Sequence, residues 1–429
     1  MVMALSIEVA PTRRPHHLTE AFGRELPHST HHCAKDKLHQ KPWSSQESDE
    51  EAKLERVADG AGGVRTTAAK NAIERSNQCS HCKRAVANQE HISMFAHGLN
   101  IGHGYTKYIV INEQGEVLPP LVFPSQVAMA EDASAGAIVA TATVEVGGVQ
   151  WWTGEDAGRL GSPIVKLGHD RLTDPVFIPA LALAARDRMG LNGCGEGGYC
   201  VSGLPGSWAE DQDMCRTLFD QVKKALPNYF HKVLVIAEQE ALCYARMLDN
   251  NGQVVGDSCY AEGRGLSLDL GHHTDDAGKL DHARRVKGSF NTYRTGTARA
   301  LGQLKNLLMA RFDRDFSLHD ADVAVRNRSV TLGGGRRADL PRGWDSFFID
   351  NATDLVNSLQ LDYNNGGDLD YVLLGGGGAL NEFKVDAIQK AYSFAEVVSD
   401  PSINDDPQLA IALGYARVAR KRMAEQGLI

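Results

Sequence analysis

An α/β fold is what the sequence predicts, and three observations predict it. From Phe95 onward, short apolar runs with two-residue alternation take turns with stretches of helical period. Glycine-bearing segments stand at the ends of three such runs: Asn100-Ile-Gly-His-Gly-Tyr-Thr-Lys107, Asp269-Leu-Gly-His-His-Thr-Asp-Asp276 and Gly375-Gly-Gly-Gly378. The stretch from Thr295 places Ala298, Leu301, Leu304, Leu307 and Leu308 at i, i+3, i+4 spacing, one buried helical face. With 429 residues the chain has length for two domain-sized cores, and 42% apolar with 23% charged content is ordinary for a globular protein.

The first glycine segment reads as a hairpin. Leu99 and Ile101 alternate with Asn100, Gly102 to Gly104 make the turn, and Lys107-Tyr-Ile-Val-Ile111 continues as a β-run. Backbone N–H groups of the tip residues Gly102, His103, Gly104, Tyr105 and Thr106 can face phosphate oxygens, and Lys107 adds a positive charge. The second segment repeats the design. Gly265-Leu-Ser-Leu-Asp-Leu270 alternates as a strand, and Gly271, His272, His273 and Thr274 form a polar turn. Asp269 leaves the strand end as a carboxylate suited to hold Mg²⁺ through water. In the third, Leu369-Asp-Tyr-Val-Leu-Leu374 is a buried strand running into Gly375, Gly376, Gly377 and Gly378, which lets backbone approach a flat ligand closely. Each segment alone is a common structural feature of α/β proteins; their joint order and spacing is far more specific.

Strands are predicted at 99–102, 108–112, 137–146, 149–153, 199–202, 232–237, 265–270, 280–286 and 371–374. Helices are predicted at 177–189, 212–226, 238–248, 295–312, 353–359, 382–391 and 407–426.

On these segments the chain resembles the actin-like ATPase superfamily, and most closely the bacterial plasmid-segregation actins of the ParM/StbA type. The family's first phosphate motif, Asp-x-Gly with a Lys five residues later, is met by Asn100, Gly102 and Lys107, with Asn for Asp. Its second, Asp-hydrophobic-Gly-x-x-Thr-x-Asp, is met by Asp269, Gly271, Thr274 and Asp276, and its adenosine motif by Val372 to Ala379. Phe123-Pro-Ser125, Trp152-Thr-Gly-Glu-Asp-Ala157, Val201-Ser-Gly-Leu-Pro205 and Asp406-Pro-Gln-Leu-Ala-Ile-Ala-Leu-Gly-Tyr415 resemble segments of the segregation actins in particular. The resemblance covers residues 94–429.

It implies a two-lobed actin-like (ribonuclease H-like) fold with ATP and Mg²⁺ in the interlobe cleft. Residues 94–200, completed by 385–429, would form the first lobe and 201–384 the second. Glu238, in Val235-Ile-Ala-Glu-Gln-Glu240, matches a junction that carries a water-orienting carboxylate, with Gln239 and Glu240 as neighbouring substitutes. A carboxylate in a helix's first turn is also stabilising without any catalytic role. Asn100 cannot supply the negative charge of the family's Asp, so hydrolysis is expected to be slow and Asn100→Asp to raise turnover. Asp275 is expected to add negative charge beside the phosphate path. His103, His272 and His273 sit on the tips, where they are either exposed turn residues or phosphate donors that make binding pH-sensitive near neutrality. The implied function is an ATPase that polymerises with bound nucleotide to segregate or position DNA through a DNA-bound adaptor protein. Two alternatives stand beside it: a non-hydrolysing nucleotide-binding scaffold and a small-molecule kinase of the same superfamily. ATP versus GTP is open.

A formal net charge of -9 argues against direct nucleic-acid coating. No apolar stretch has the length of a membrane span, and Cys194, Cys200, Cys215, Cys243 and Cys259 are scattered without a pairing pattern, so reduced thiols and a cytoplasmic location are expected. Residues 1–93 differ from the rest: up to about residue 90 they hold seven of the sixteen histidines and show no convincing apolar period, so this extension is expected to be largely disordered. Within it Cys79-Ser-His-Cys82, with His31, His32 and Cys33, has half of a zinc-site spacing, and the second half is missing. Met94 stands where related chains usually begin, so a start assigned too far upstream is the other reading of the extension.

Overall fold

A computed structural model describes residues 94–130, 143–164, 166, 168–191, 198–255 and 259–429. The expectations for 1–93, including the zinc half-site, lie outside these residues, as does 137–142 of the expected strand 137–146.

Two sheets are built on one plan. In the first, β1 (Ala96–Ile101) and β2 (Tyr105–Ile111) form an antiparallel hairpin whose register sets Asn100 opposite Lys107. β3 (Leu121–Pro124) pairs with β2; on the other side β7 (Gly198–Leu204) runs parallel to β1, and β8 (Phe230–Ala237) parallel to β7. In the second, β9 (Arg264–Leu270) and β10 (Asp275–Asp281) form the hairpin, with Asp269 opposite Asp276. β15 (Tyr371–Gly375) then runs parallel to β9, and β16 (Ala395–Val397) parallel to β15. Two short strands, β11 (Arg284–Arg285) and β12 (Asn291–Tyr293), pair with β10. A three-stranded sheet of β4 (Val127–Met129), β5 (Thr143–Val146) and β6 (Val149–Thr153), and a ribbon of β13 (Ser329–Thr331) and β14 (Arg337–Asp339), complete the strands.

Period-two alternation decides which core each face meets. Leu99 and Ile101 turn to a core shared with α2 (Phe177–Arg188) and α3 (Gln212–Ala225), whereas Ala96 joins the central core between the sheets. Leu266, Leu268 and Leu270 likewise pack outward, with α7 (Ser346–Tyr363) and α8 (Glu382–Ala391). The central core is crossed by α4 (Glu238–Met247), which starts where β8 ends, and α9 (Ala410–Glu425), a helix buried over most of its length. Gly414 permits that crossing, since a Cβ there would fall 1.8 Å from the Ala241 carbonyl oxygen. Around this frame lie α1 (Glu155–Leu160), and α5 (Thr297–Phe312) packed with α6 (Leu318–Arg326) in a smaller cluster.

The expected strand 280–286 is displaced. β10 starts at Asp275, and left-handed backbone at His282 and Ala283 (φ 54 and 57) ends it in a turn. Asp275-Asp-Ala-Gly-Lys has little β-propensity, and its seven-residue pairing with β9 supplies what the side chains do not. The helix expected over 353–359 extends to Ser346–Tyr363, with Phe348, Ala352, Leu355, Leu359 and Tyr363 along its buried face. Residues 200 and 201 both lie within β7, and β8 ends at Ala237.

Candidate functional site

Both hairpins close with the same bond: Gly102 N–H donates to the Tyr105 carbonyl at 3.1 Å, and Gly271 N–H to the Thr274 carbonyl at 3.0 Å. The tips lie side by side. A Cβ on Gly104 would stand 3.0 Å from His272, and the His103 ring meets His273 edge-on with centroids 6.3 Å apart. Between them opens a cleft of about 1170 Å³, walled by both tips, Glu238, Asp269, Gly377 and the edge of α6.

At its floor Asn100 joins two charges. Its Nδ2 donates to Glu238 Oε1 at 2.9 Å, and its Oδ1 accepts from Lys107 Nζ at 3.1 Å. The amide satisfies both, where an ammonium could not accept and a carboxylate could not donate. Asp269 lies under the third glycine segment: Gly376 has φ +83, and a Cβ there would fall 2.1 Å from Asp269 Oδ1. Asp276 is held by the hydroxyls of Thr274 at 2.9 Å and Thr292 at 2.5 Å.

Burial dominates the electrostatics. It pushes the Asp269 carboxyl well above the usual range, with Glu238 adding to the rise and Lys107 opposing it. Glu238 is raised by burial against the opposing pull of Arg171, Lys107 and the Asn100 hydrogen bond. Asp276 is pushed up to about 7, burial outweighing its threonine bonds. Lys107 is lowered by burial while Asp269 and Glu238 pull the other way. Burial, then His273, brings His272 down to about 4, and burial lowers His273. These two histidines are half-buried and neutral near pH 7, so the expected titration near neutrality is displaced to lower pH.

Of the expected site residues, Asn100, Gly102, His103, Gly104, Tyr105, Lys107, Glu238, Asp269, Gly271, His272, His273, Thr274 and Gly377 line this one cleft. Thr106 does not: it is fully buried, its hydroxyl 2.9 Å from Ser125 Oγ. Gly375, Gly376 and Gly378 are buried beneath the surface, against Leu242, Asp269 and Leu270, so the run serves close packing at three positions and faces the cleft at Gly377. Glu240 turns back to cap the Ala237 N–H at 3.2 Å, and Gln239 is buried away from the cleft. Asp275 does not line the cleft. It points into the protein, where Lys384 Nζ meets its oxygens at 2.6 and 2.8 Å and the Thr295 hydroxyl at 2.6 Å.

Sequence reasoning gave no role to Arg171, which lines the cleft from a single helical turn at Asp170–Thr173, nor to Asp276 as a cleft carboxylate. The second was legible, since a four-residue turn between Asp269 and Asp276 sets them opposite one another. Arg171 carried no signal in the sequence.

The residues fit a magnesium nucleotide. Among the described residues no three His, Cys, Asp or Glu side chains form a metal cage, while Asp269 and Asp276 stand on facing strand positions, as suits an ion that keeps most of its waters. Above Gly377 the space is open, the nearest atoms to a Cβ there being 3.8 Å away on Gln408.

Two sheets of like topology, with glycine hairpin tips facing a cleft, make the fold actin-like. The archaeal actin homolog Ta0583 superposes with a TM-score of 0.59 at 18% identity, covering 77% of this chain and 100% of that one, and its complex with ADP gives 0.57 at 19%, covering 76% and 99%. MamK in its double helical filament gives 0.56 at 14%, covering 76% and 98%, and Bacillus thuringiensis ParM with ATP gives 0.53 at 15%, covering 78% and 99%. No family model and no curated protein matches the chain. Among the described residues no helix is long and apolar enough to cross a membrane, and Cys200, Cys215, Cys243 and Cys259 are free thiols.

Proposed function

We propose that this chain is an actin-like ATPase that binds ATP with Mg²⁺ in the interlobe cleft, polymerises in that state, and positions or segregates DNA through a DNA-bound adaptor protein. The observation that carries the nucleotide reading is the convergence of both glycine tips, Lys107, Asp269 and Glu238 on one cleft. Structures of like fold with bound ADP and ATP support it. Self-association draws support from the MamK filament, and the DNA role from the motif likeness to the segregation actins.

In this reading the tips aim backbone N–H groups at the phosphates, Lys107 neutralises one of them, and Asp269 holds the ion through water. Bound Mg²⁺ supplies positive charge that offsets the charge of the phosphates. Glu238 orients the attacking water. Its raised pKa makes it a better proton acceptor than an exposed carboxylate, and Asn100 fixes its rotamer.

One observation favours a non-hydrolysing scaffold: the Asn100 amide occupies one oxygen of Glu238. High-speed sedimentation of the full chain with Mg²⁺ and ATP, a non-hydrolysable analogue or ADP, assayed for released phosphate, decides. Pelleting with ATP and analogue together with phosphate release is the expected result. Pelleting without release selects the scaffold. Protein soluble in every tube refutes the filament, and release that depends on an added small-molecule acceptor selects a kinase.

A further inference from the structure

Arg171 is 2% exposed and yet forms part of the cleft wall. Among the described residues it makes one hydrogen bond, from Nη1 to the Ile101 carbonyl at 3.1 Å, and its Nε is buried without a partner. No carboxylate of the described residues lies within ion-pair distance of it. The adjacent Asp170 is engaged by Lys166 and by the Gly168 N–H. The guanidinium lies over the Trp208 ring, 5.0 Å from its centroid, a cation–π contact. A cation withdrawn from water without a counter-ion in contact is costly, and a protein that retains one in the wall of a binding cleft gains from an anion that arrives there.

Its anchor says where that anion sits. Ile101 immediately precedes Gly102, so Arg171 is tied to the base of the first phosphate tip. Glu238 and Asp276, which line the same cleft, are the carboxylates whose charges act on it most strongly, and Glu238 is the one assigned to the attacking water. We infer that Arg171 is a binding residue for the terminal phosphoryl group of a nucleoside triphosphate, and that it makes the cleft prefer triphosphate over diphosphate. The inference rests on reading the cleft as a nucleotide site and adds to that reading the group that distinguishes the two nucleotide states. A planar guanidinium that keeps N–H donors beyond the one engaged by Ile101 can form a bidentate contact to phosphate that the Lys107 ammonium cannot.

The test is calorimetric binding of a non-hydrolysable ATP analogue and of ADP, both with Mg²⁺, to the full chain and to Arg171→Gln and Arg171→Lys. Gln removes the charge and keeps a polar side chain. The expected result is a loss of about 10- to 100-fold in analogue affinity for Arg171→Gln, with ADP affinity within about twofold of wild type. Arg171→Lys is expected to fall between, preferring the analogue at least about threefold less than wild type does. Equal losses for both nucleotides, or none, overturn the assignment while leaving the cleft reading intact. Wild-type protein that binds neither nucleotide overturns both. Should Arg171→Gln fail to fold, as circular dichroism would show, Arg171→Lys alone decides, and an unchanged analogue-to-ADP ratio overturns the proposal.

Discussion

The two hairpins hold the same place in their sheets and close with the same turn, yet matched positions carry opposite chemistry. Where the first sets Asn100 opposite Lys107, the second sets Asp269 opposite Asp276. One residue nearer the tip, Thr106 shares a neutral hydroxyl pair with Ser125, whereas Asp275 is locked to Lys384 in an ion pair of which neither member is more than 1% exposed. Three residues before Asn100 stands the buried His97; three before Asp269 stands Leu266. A duplicated backbone plan thus brings a cationic tip and an anionic tip together, the arrangement needed to hold a polyanion and its metal at once. The asymmetry lives in side chains, and each difference can be broken separately.

The largest effect is expected at the buried ion pair. Lys384→Met leaves Asp275 charged and unpaired and should cost about 3–5 kcal/mol in urea unfolding, with Asp275→Asn added to it recovering part of the loss. Next, Asp269→Asn should lower Mg²⁺-dependent phosphate release about a hundredfold, near 2.7 kcal/mol of barrier, with the fold unchanged by circular dichroism. Making the first hairpin resemble the second, Asn100→Asp replaces the 2.9 Å donor to Glu238 with a like charge, and should destabilise the nucleotide-free protein by about 2 kcal/mol in thermal melts. Mg²⁺ and ATP should restore much of that stability. Turnover measured on the same protein then tests whether the added carboxylate speeds hydrolysis, as the family motif implies.

His97 offers a pH test confined to the first lobe. Burial brings its pKa from 6.5 down to about 3, so the folded state excludes a proton that the unfolded chain takes up. Its contribution is present above pH 6.5 and lost as pH falls toward 3, at about 1.4 kcal/mol per pH unit. His97→Leu, which copies the second lobe, should remove one proton's worth of slope from unfolding free energies measured between pH 6.5 and 4. The smallest change, Thr106→Val, should cost about 1 kcal/mol and leave nucleotide affinity unaltered, since Thr106 lies outside the cleft wall.

Much of the site was legible because it is local. A glycine turn flanked by alternating apolar residues specifies a hairpin whatever surrounds it, and a carboxylate two residues before such a turn must lie near its tip. Glu238 was legible for the same reason, as the first residue of a helix that follows a strand directly. Thr106 and the glycines at 375, 376 and 378 were placed in the cleft because spacing cannot tell which side of a strand end meets solvent and which meets Leu242 or Leu270.

By itself, then, the sequence determined the alternating strand and helix pattern and the two glycine turns, because alternation, turn residues and helix starts act over a few residues. Only the tertiary structure decided that Lys384 neutralises Asp275 across 109 residues, that Asn100 spans 138 residues to Glu238, and that Arg171 reaches back 70 residues to the first tip. Those contacts are set by how each sheet packs with its own strands and helices, and the free energy of burying a charge depends on neighbours that no local pattern names.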